Sequence, residues 1–296
     1  MQATAVQRAV QLRNILFLTD FSAIAARAGG YAAALAKSEN ARLVALHVGP
    51  AVVNPMAPEW DPYHMEQAAR AHDEEEKNQL TEAFAGFNAK IEIAHGPLWE
   101  NVHKIIKRDE IDLIVMGTHG RSGASRLLFG SAAEEIFRLA SCPVLTIGPH
   151  VPAIKPGAEV DRILLATDFS PRSHAATECA FALAKEHQAH LTLLHVLSEP
   201  QACDLVQPSN LAAAAEQALR NLVTAESEKW HVSEIALERG DAARKILELA
   251  DRGNSSLIVM GVRREMGFPG AATHLPVSVA HEVVAHANCP VLTVRA

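Results

Sequence analysis

The chain of 296 residues has no long apolar run, only 5% aromatic residues and no excess of positive charge. No segment approaches the roughly 20 apolar residues of a membrane span, and the amino-terminal residues lack the apolar core of a signal peptide. The net charge of -7 argues against a nucleic-acid partner, because phosphates require a basic surface. We therefore expect a cytoplasmic protein with neither a membrane nor a nucleic-acid partner.

Several motifs of catalysis and metal binding are also missing. The sequence contains no G-x4-G-K-[ST], no G-x-S-x-G and no Cys–His pair at motif spacing. His281 and His286 are five residues apart, about 140° around a helix, so they are not expected to share one metal ion. In a reducing compartment the scattered cysteines are interpreted as buried free thiols: Cys142, Cys179, Cys203 and Cys289.

An internal repeat dominates the sequence. NILFLTDFS (14–22) recurs as RILLATDFS (162–170), and ARLVALHV (41–48) recurs as AHLTLLHV (189–196). DLIVMG (112–117) recurs as SLIVMG (256–261), and SCPVLTI (141–147) recurs as NCPVLTV (288–294). Four matches in one order, at an offset near 148 residues, predict two similar domains over 1–149 and 160–296. Residues 150–159, which contain two prolines and a glycine, are the expected linker.

Each half alternates short β-branched apolar strands with amphipathic helices. In the first half we predict strands at 14–19, 42–48, 90–95, 111–116 and 143–148, and helices at 22–38, 64–87, 97–108 and 131–140. This alternation predicts two tandem α/β domains, each a doubly wound, parallel, five-stranded sheet. Such sheets bind ligands beyond the carboxyl ends of their strands, at the switch point.

A glycine-rich loop follows the fourth strand of the first half. Gly117, Gly120 and Gly130 precede a helix that begins near Ser131, in a G-x2-G-x9-G-S pattern. Glycines let backbone N–H groups approach an anion, and the amino terminus of a helix attracts negative charge. The loop is therefore a candidate phosphate cradle.

This spacing resembles the ATP-binding signature of the universal stress protein family. TDFS after the first strand, HV at the end of the second and CPVL in the last strand resemble the same family, over almost the whole chain. The resemblance implies the adenine nucleotide alpha hydrolase-like fold and an ATP site in the first half, with Mg²⁺ accompanying the triphosphate. It implies these binding residues: Leu18, Thr19, Asp20, Val48, Met116, Gly117, Gly120, Gly130, Ser131 and Ala132. Ala133 departs from a hydroxyl residue found in some members.

The second half departs much further from the signature. It keeps Gly261, but Arg264 and Val277 stand at the other two glycine positions. A β-branched residue resists positive φ and crowds a phosphate. We therefore expect the second half to have lost or radically changed its nucleotide site.

Most of these residues also have purely structural interpretations. Ser131 and Glu134 form a capping-box pattern, and Asp20 with Ser22 is typical of a strand-to-helix turn. His47 and His195, at equivalent strand positions, are expected to pack or to form hydrogen bonds. The acidic run 73–76 is predicted to be a solvated helix face. His119 lies within the glycine loop and is a candidate to contact phosphate.

The sequence favours an ATP-binding regulatory module of the stress response over an enzyme, because the loop has no lysine and no evident general base. A slow ATPase at the same site and a nucleotide-independent scaffold remain as alternatives. The two halves are expected to form a pseudo-dimer through their last strands, Val144–Ile147 and Val291–Val294, because each would otherwise expose a sheet edge. A homodimer of chains is a further possibility.

Overall fold

A computed structural model of the protein describes residues 12–51, 62–118, 130–155, 157–198, 208–226, 232–262 and 279–295. The strands of the first half are β1 (Asn14–Thr19), β2 (Arg42–Gly49), β3 (Ala89–His95), β4 (Leu113–Gly117) and β5 (Val144–Ile147). Its helices are α1 (Ala23–Ser38), α2 (Pro62–Ala83), α3 (Leu98–Arg108) and α4 (Ser131–Leu139). The helix predicted over 64–87 ends early, because the chain turns at Gly86 with φ of +89°.

The second half repeats the order of the first. Its strands are β6 (Arg162–Ala166), β7 (His190–Leu197), β8 (Val232–Arg239), β9 (Leu257–Gly261) and β10 (Val291–Val294). Its helices are α5 (Pro171–Glu186), α6 (Pro208–Glu226), α7 (Ala242–Arg252) and α8 (Val279–His286). The predicted fold class is confirmed, since strands and helices alternate and neighbouring strands within each half are parallel.

The two five-stranded sheets join into a single ten-stranded sheet. Its order is β3-β2-β1-β4-β5-β10-β9-β6-β7-β8, and the only antiparallel pair among the described strands is β5 with β10. Leu145 lies opposite Leu292 in this pair. Thr146 Oγ1 donates to Val291 O at 3.0 Å, and Thr293 Oγ1 donates to Val144 O at 3.2 Å. The predicted pairing of the final strands is confirmed, and it removes two sheet edges.

The helices cover the sheet on both faces. On one face α1, α2, α5 and α6 pack over a core that includes Leu145 and Leu292 and therefore runs through both halves. On the other face α3 and α4 cover the first half, and α7 and α8 cover the second. In the first half β1 lies between β2 and β4, so the connections diverge on either side of β1 and open a crevice at its carboxyl end.

The segment between β5 and β6 is attached to the first half. Val151 is fully buried, and its carbonyl oxygen accepts a hydrogen bond from Arg27 Nη1 at 3.0 Å. The Tyr31 hydroxyl donates to Pro152 O at 3.1 Å. Three cysteines are free and buried, as expected, whereas Cys203 lies outside the described residues: Cys142, Cys179 and Cys289.

Candidate functional site

A cavity of about 280 Å³ lies at the switch point of the first half, beyond the carboxyl ends of β1, β2 and β4. Its walls are mainly apolar, as is usual for small-molecule sites. The cavity is lined by Leu18, Thr19, Asp20, Ala25, Leu46, Val48, Gly49, Pro50, Gly96, Leu98, Met116, Gly117, Thr118, Gly130, Ala132 and Ala133.

Eight of the ten residues predicted to bind nucleotide line this cavity: Leu18, Thr19, Asp20, Val48, Met116, Gly117, Gly130 and Ala132. Ser131 begins α4 next to it, without lining it, and Gly120 lies outside the described residues, as does His119. The residues converge because the carboxyl ends of parallel strands meet at one edge of the sheet. The predicted binding residues did not include several others that line the cavity, among them Leu46, Pro50, Gly96 and Leu98.

The turn after β1 is held by its own side chains. Thr19 Oγ1 accepts from Phe21 N, and Asp20 Oδ1 accepts from Ser22 N, both at 3.0 Å. Ser22 caps α1 by accepting from Ala25 N at 3.1 Å, as predicted. The second half repeats the turn, with Asp168 Oδ1 accepting from Ser170 N at 3.0 Å. Asp20 therefore has a structural role that does not depend on a ligand.

The predicted hydrogen-bonding role of the strand histidines is confirmed. His47 Nδ1 lies 2.8 Å from Thr19 O, and His195 Nδ1 lies 2.8 Å from Thr167 O. Each ring also packs on the phenylalanine of the neighbouring turn, at centroid distances of 4.8 Å for Phe21 and 4.4 Å for Phe169. The histidines thus tie the end of one strand to the next.

The acidic run 73–76 is not the solvated face that the sequence suggested. Glu74 and Glu75 are exposed, but Glu76 is 6% exposed and its Oε1 lies 3.6 Å from His47 Nε2 and 3.3 Å from His72 Nε2. The prediction failed because these carboxylates find histidine partners on the sheet and on their own helix, which charge patterning along the sequence does not reveal.

Asp73 extends this cluster to the rim of the cavity. Both of its carboxylate oxygens lie 3.0 Å from His95 Nε2, and His95 Nδ1 lies 3.2 Å from Pro50 O. The hydrogen bond to Asp73 raises the pKa of His95 above the ordinary value of 6.5, although partial burial lowers it. The pair therefore links α2 to the Pro50 segment that lines the cavity.

The capping box predicted at Ser131 is wrong. The cap of α4 is Gly130, Ser131 is the first helical residue, and no side chain caps the helix. Gly130 has φ of -63° and ψ of 145°, a conformation open to any residue, so it is not a positive-φ glycine. An uncapped helix start leaves backbone N–H groups able to bind an anion.

Gly117 lies in close contact with the start of α1. A Cβ atom at this position would lie 3.0 Å from Ile24 Cγ2 and 3.2 Å from Ala25 N, at the start of α1. Contact with helix backbone cannot be relieved by a side-chain rotation. The glycine therefore permits close approach of β4 and α1, and its presence alone does not demonstrate nucleotide binding.

The second half has a larger cavity of about 540 Å³ at the equivalent place. Ala166 and Ala242 line it where the first half has Leu18 and Leu98. Helix α7, the counterpart of α3, is capped by Asp241, whose Oδ1 accepts a hydrogen bond from Arg244 N at 2.8 Å. By contrast Pro97, at the start of α3, provides no side-chain cap. Arg264, Val277 and Ser278 lie outside the described residues.

Asp168, at the position equivalent to Asp20, lines this cavity. Burial raises the pKa of its carboxyl, but hydrogen bonds from Ser170 and Ser173 outweigh that effect and lower the pKa overall.

Within the described ranges, no group of three or more His, Cys, Asp or Glu residues is arranged to hold a metal ion. His281 instead stacks on Phe137 at 4.8 Å, and His286 Nδ1 lies 2.9 Å from Glu282 O.

Comparison with known proteins agrees with this architecture. The profile of the universal stress protein family matches residues 11–148 and 159–295. The chain belongs to the universal stress protein family. A universal stress protein from Archaeoglobus fulgidus has the same fold, with a TM-score of 0.68 at 22% identity, over 96% of this chain and 99% of that one.

Sequence relatives belong to the same family. Universal stress protein Rv2005c of Mycobacterium tuberculosis is 28% identical over 193 residues, which span 63% of this chain and 63% of that protein. Universal stress protein YxiE of Bacillus subtilis is 33% identical over 153 residues, 46% of this chain and 99% of that protein. In the described parts of the chain, no helix has the length and apolar character to span a membrane.

Proposed function

We propose that the first half binds ATP and that the protein acts as a nucleotide-dependent module of the stress response in the cytoplasm. The observation that carries the proposal is the convergence of eight predicted residues on one cavity at the switch point. The family fold and the intact glycine pattern of the first half support it.

The residues present fit an adenosine group. Leu46, Val48, Leu98 and Met116 provide apolar walls for a planar base, and Asp20 provides a carboxylate for ribose hydroxyls. The uncapped start of α4 provides backbone donors for phosphate. The described residues offer no metal-binding cluster, so Mg²⁺ would be held chiefly by the phosphates.

We further propose that nucleotide binding is confined to the first half. Two of the three leucines that line its cavity, Leu18 and Leu98, are replaced by Ala166 and Ala242 in the second half, which loosens the walls around a base. Asp241 also caps α7, whereas its counterpart α3 in the first half has no side-chain cap. ATP binding would shift the equilibrium between two conformations of the first half and so change a surface to which partners bind.

Calorimetric titration of the full chain with MgATP tests the proposal. Asp20→Asn and Asp168→Asn form a matched pair, because each carboxylate caps the same turn and asparagine retains the accepting oxygen. We expect one ATP per chain, weaker binding in Asp20→Asn and unchanged binding in Asp168→Asn. Equal effects of the two variants would contradict the assignment to the first half, and absence of binding would contradict the function itself.

Mass spectrometry of ligand released from the denatured, purified protein would identify the nucleotide. Phosphate release beyond one turnover would favour the slow ATPase. Partner binding that is unchanged when all nucleotide is removed would favour the scaffold.

A further inference from the structure

A third cavity lies at the junction of the two halves, away from the carboxyl ends of β1, β2 and β4. We name it the seam groove: a space of about 350 Å³ whose floor is the pair Leu145 and Leu292, and whose walls are α1 and α5. Tyr31 and Leu35 line it from α1, and Leu183 lines it from α5. The groove exists because the central strands β5 and β10 are flanked, on this face, by helices that belong to different halves.

The segment between the halves lies along the groove. Pro152, Ile154 and Val160 line it, and the hydrogen bond from the Tyr31 hydroxyl to Pro152 O holds this segment against α1. The groove is therefore bounded by both sheets, by one helix of each half and by the connection between them. A ligand within it would touch both halves at once.

The charged residues that line the groove have one sign. Glu39, Glu159 and Glu186 contribute carboxylates, His187 contributes an imidazole, and the described lining includes no lysine or arginine. Glu39 and Glu186 end the helices α1 and α5, on opposite sides of the floor. Burial and the negative charge of Glu39 raise the pKa of Glu186, whereas His187 lowers it. A cation between these carboxylates would relieve their repulsion.

We propose that the seam groove binds a small amphipathic cation, with its apolar body on the Leu145–Leu292 floor and its ammonium group between Glu39 and Glu186. A mostly apolar, concave space with a few convergent charges of one sign is the usual form of such a site. The same features disfavour fatty acids and other apolar anions. The site is distinct from the nucleotide cavity and does not depend on ATP binding.

Three eight-carbon probes test the proposal on the full-length protein: n-octylammonium, n-octanol and n-octanoate. Calorimetry and ligand-observed NMR measure their binding. We expect octylammonium to bind at least about tenfold more tightly than octanoate, a difference of about 1.4 kcal/mol. The double variant Glu39→Gln/Glu186→Gln should weaken octylammonium binding about tenfold, because two partly exposed carboxylates are lost.

Two further variants locate the effect. Ala34→Phe places a ring in the groove from α1 and should abolish binding of octylammonium. Glu74→Gln/Glu75→Gln, two exposed carboxylates of α2, removes the same net charge and should leave binding unchanged. Equal affinity for octanoate, equal effects of the two double variants or wild-type binding by Ala34→Phe would overturn the proposal. Failure of all three probes to bind would overturn it as well.

Discussion

The imidazole Nδ1 of His47 lies 2.8 Å from the carbonyl oxygen of Thr19. Its other ring nitrogen lies 3.6 Å from Glu76 Oε1, so one side chain joins β1, β2 and α2 beside the switch-point cavity of the first half. His195 makes the same contact with Thr167 in the second half. There Ala215, four residues before the buried Leu219, stands in the place of Glu76, four residues before the buried Leu80.

This difference predicts unequal effects of the two histidines. His47→Ala should lower the free energy of unfolding by about 2–3 kcal/mol, since it removes a buried hydrogen bond and a partner of a buried carboxylate. His195→Ala should cost about 1 kcal/mol less than His47→Ala, because both variants lose a hydrogen bond and a ring contact but only His47→Ala removes a partner of a buried carboxylate. Urea denaturation measures both values. Equal losses would show that Glu76 does not depend on His47.

Gly130→Val should abolish or strongly weaken MgATP binding while leaving the fold intact. The conformation of Gly130 is open to valine, so the effect rests on crowding of the phosphates and not on backbone strain. Calorimetry measures the affinity and circular dichroism the fold. A folded variant with wild-type affinity would rule out the start of α4 as the phosphate site.

The seam between the halves should be sensitive to charge. Leu145 and Leu292 are 6% and 5% exposed and lie opposite each other, so Leu145→Asp should bury an unpaired carboxylate and cost more than about 3 kcal/mol. The variant should bind more of a hydrophobic dye, and Leu292→Asp should behave alike.

Thr146→Val provides a milder control at the same seam. It removes only the hydrogen bond to Val291 O and should cost about 1 kcal/mol, with no increase in dye binding. If Leu145→Asp and Thr146→Val lowered the free energy of unfolding by similar small amounts, the stability of the halves would not depend on their contact.

The His95–Asp73 pair should make the free energy of unfolding depend on pH above about 6.5. Because folding raises the pKa of His95 above 6.5, its contribution is fully present below about pH 6.5 and is lost as the pH rises through the higher value of the folded state. Thermal unfolding across pH 5–9 should show this loss in the wild type and a flatter profile in His95→Asn. An unchanged profile in His95→Asn would show that the pair does not contribute to this pH dependence.

The switch-point cavity of the first half was predictable from sequence because its residues follow strand ends. Thr19, Val48 and Met116 each end or adjoin an apolar strand, and in a parallel sheet those ends meet at one edge. The repeat likewise indicated the domain order, and the apolar final strands indicated their pairing. The local turn of Asp20 and Ser22 was also correct, since it involves only neighbouring residues.

The sequence by itself determined the family, the order of strands and helices, and the residues at the strand ends, because periodicity and short motifs are local properties of the chain. Only the tertiary structure decided what depends on distant packing. The burial of Glu76 against His47, the cap at Gly130 in place of Ser131, and the closeness of Gly117 to Ala25 are of this kind. So is the seam groove, which exists only because β5 and β10 bring α1 and α5 to face each other across a shared sheet.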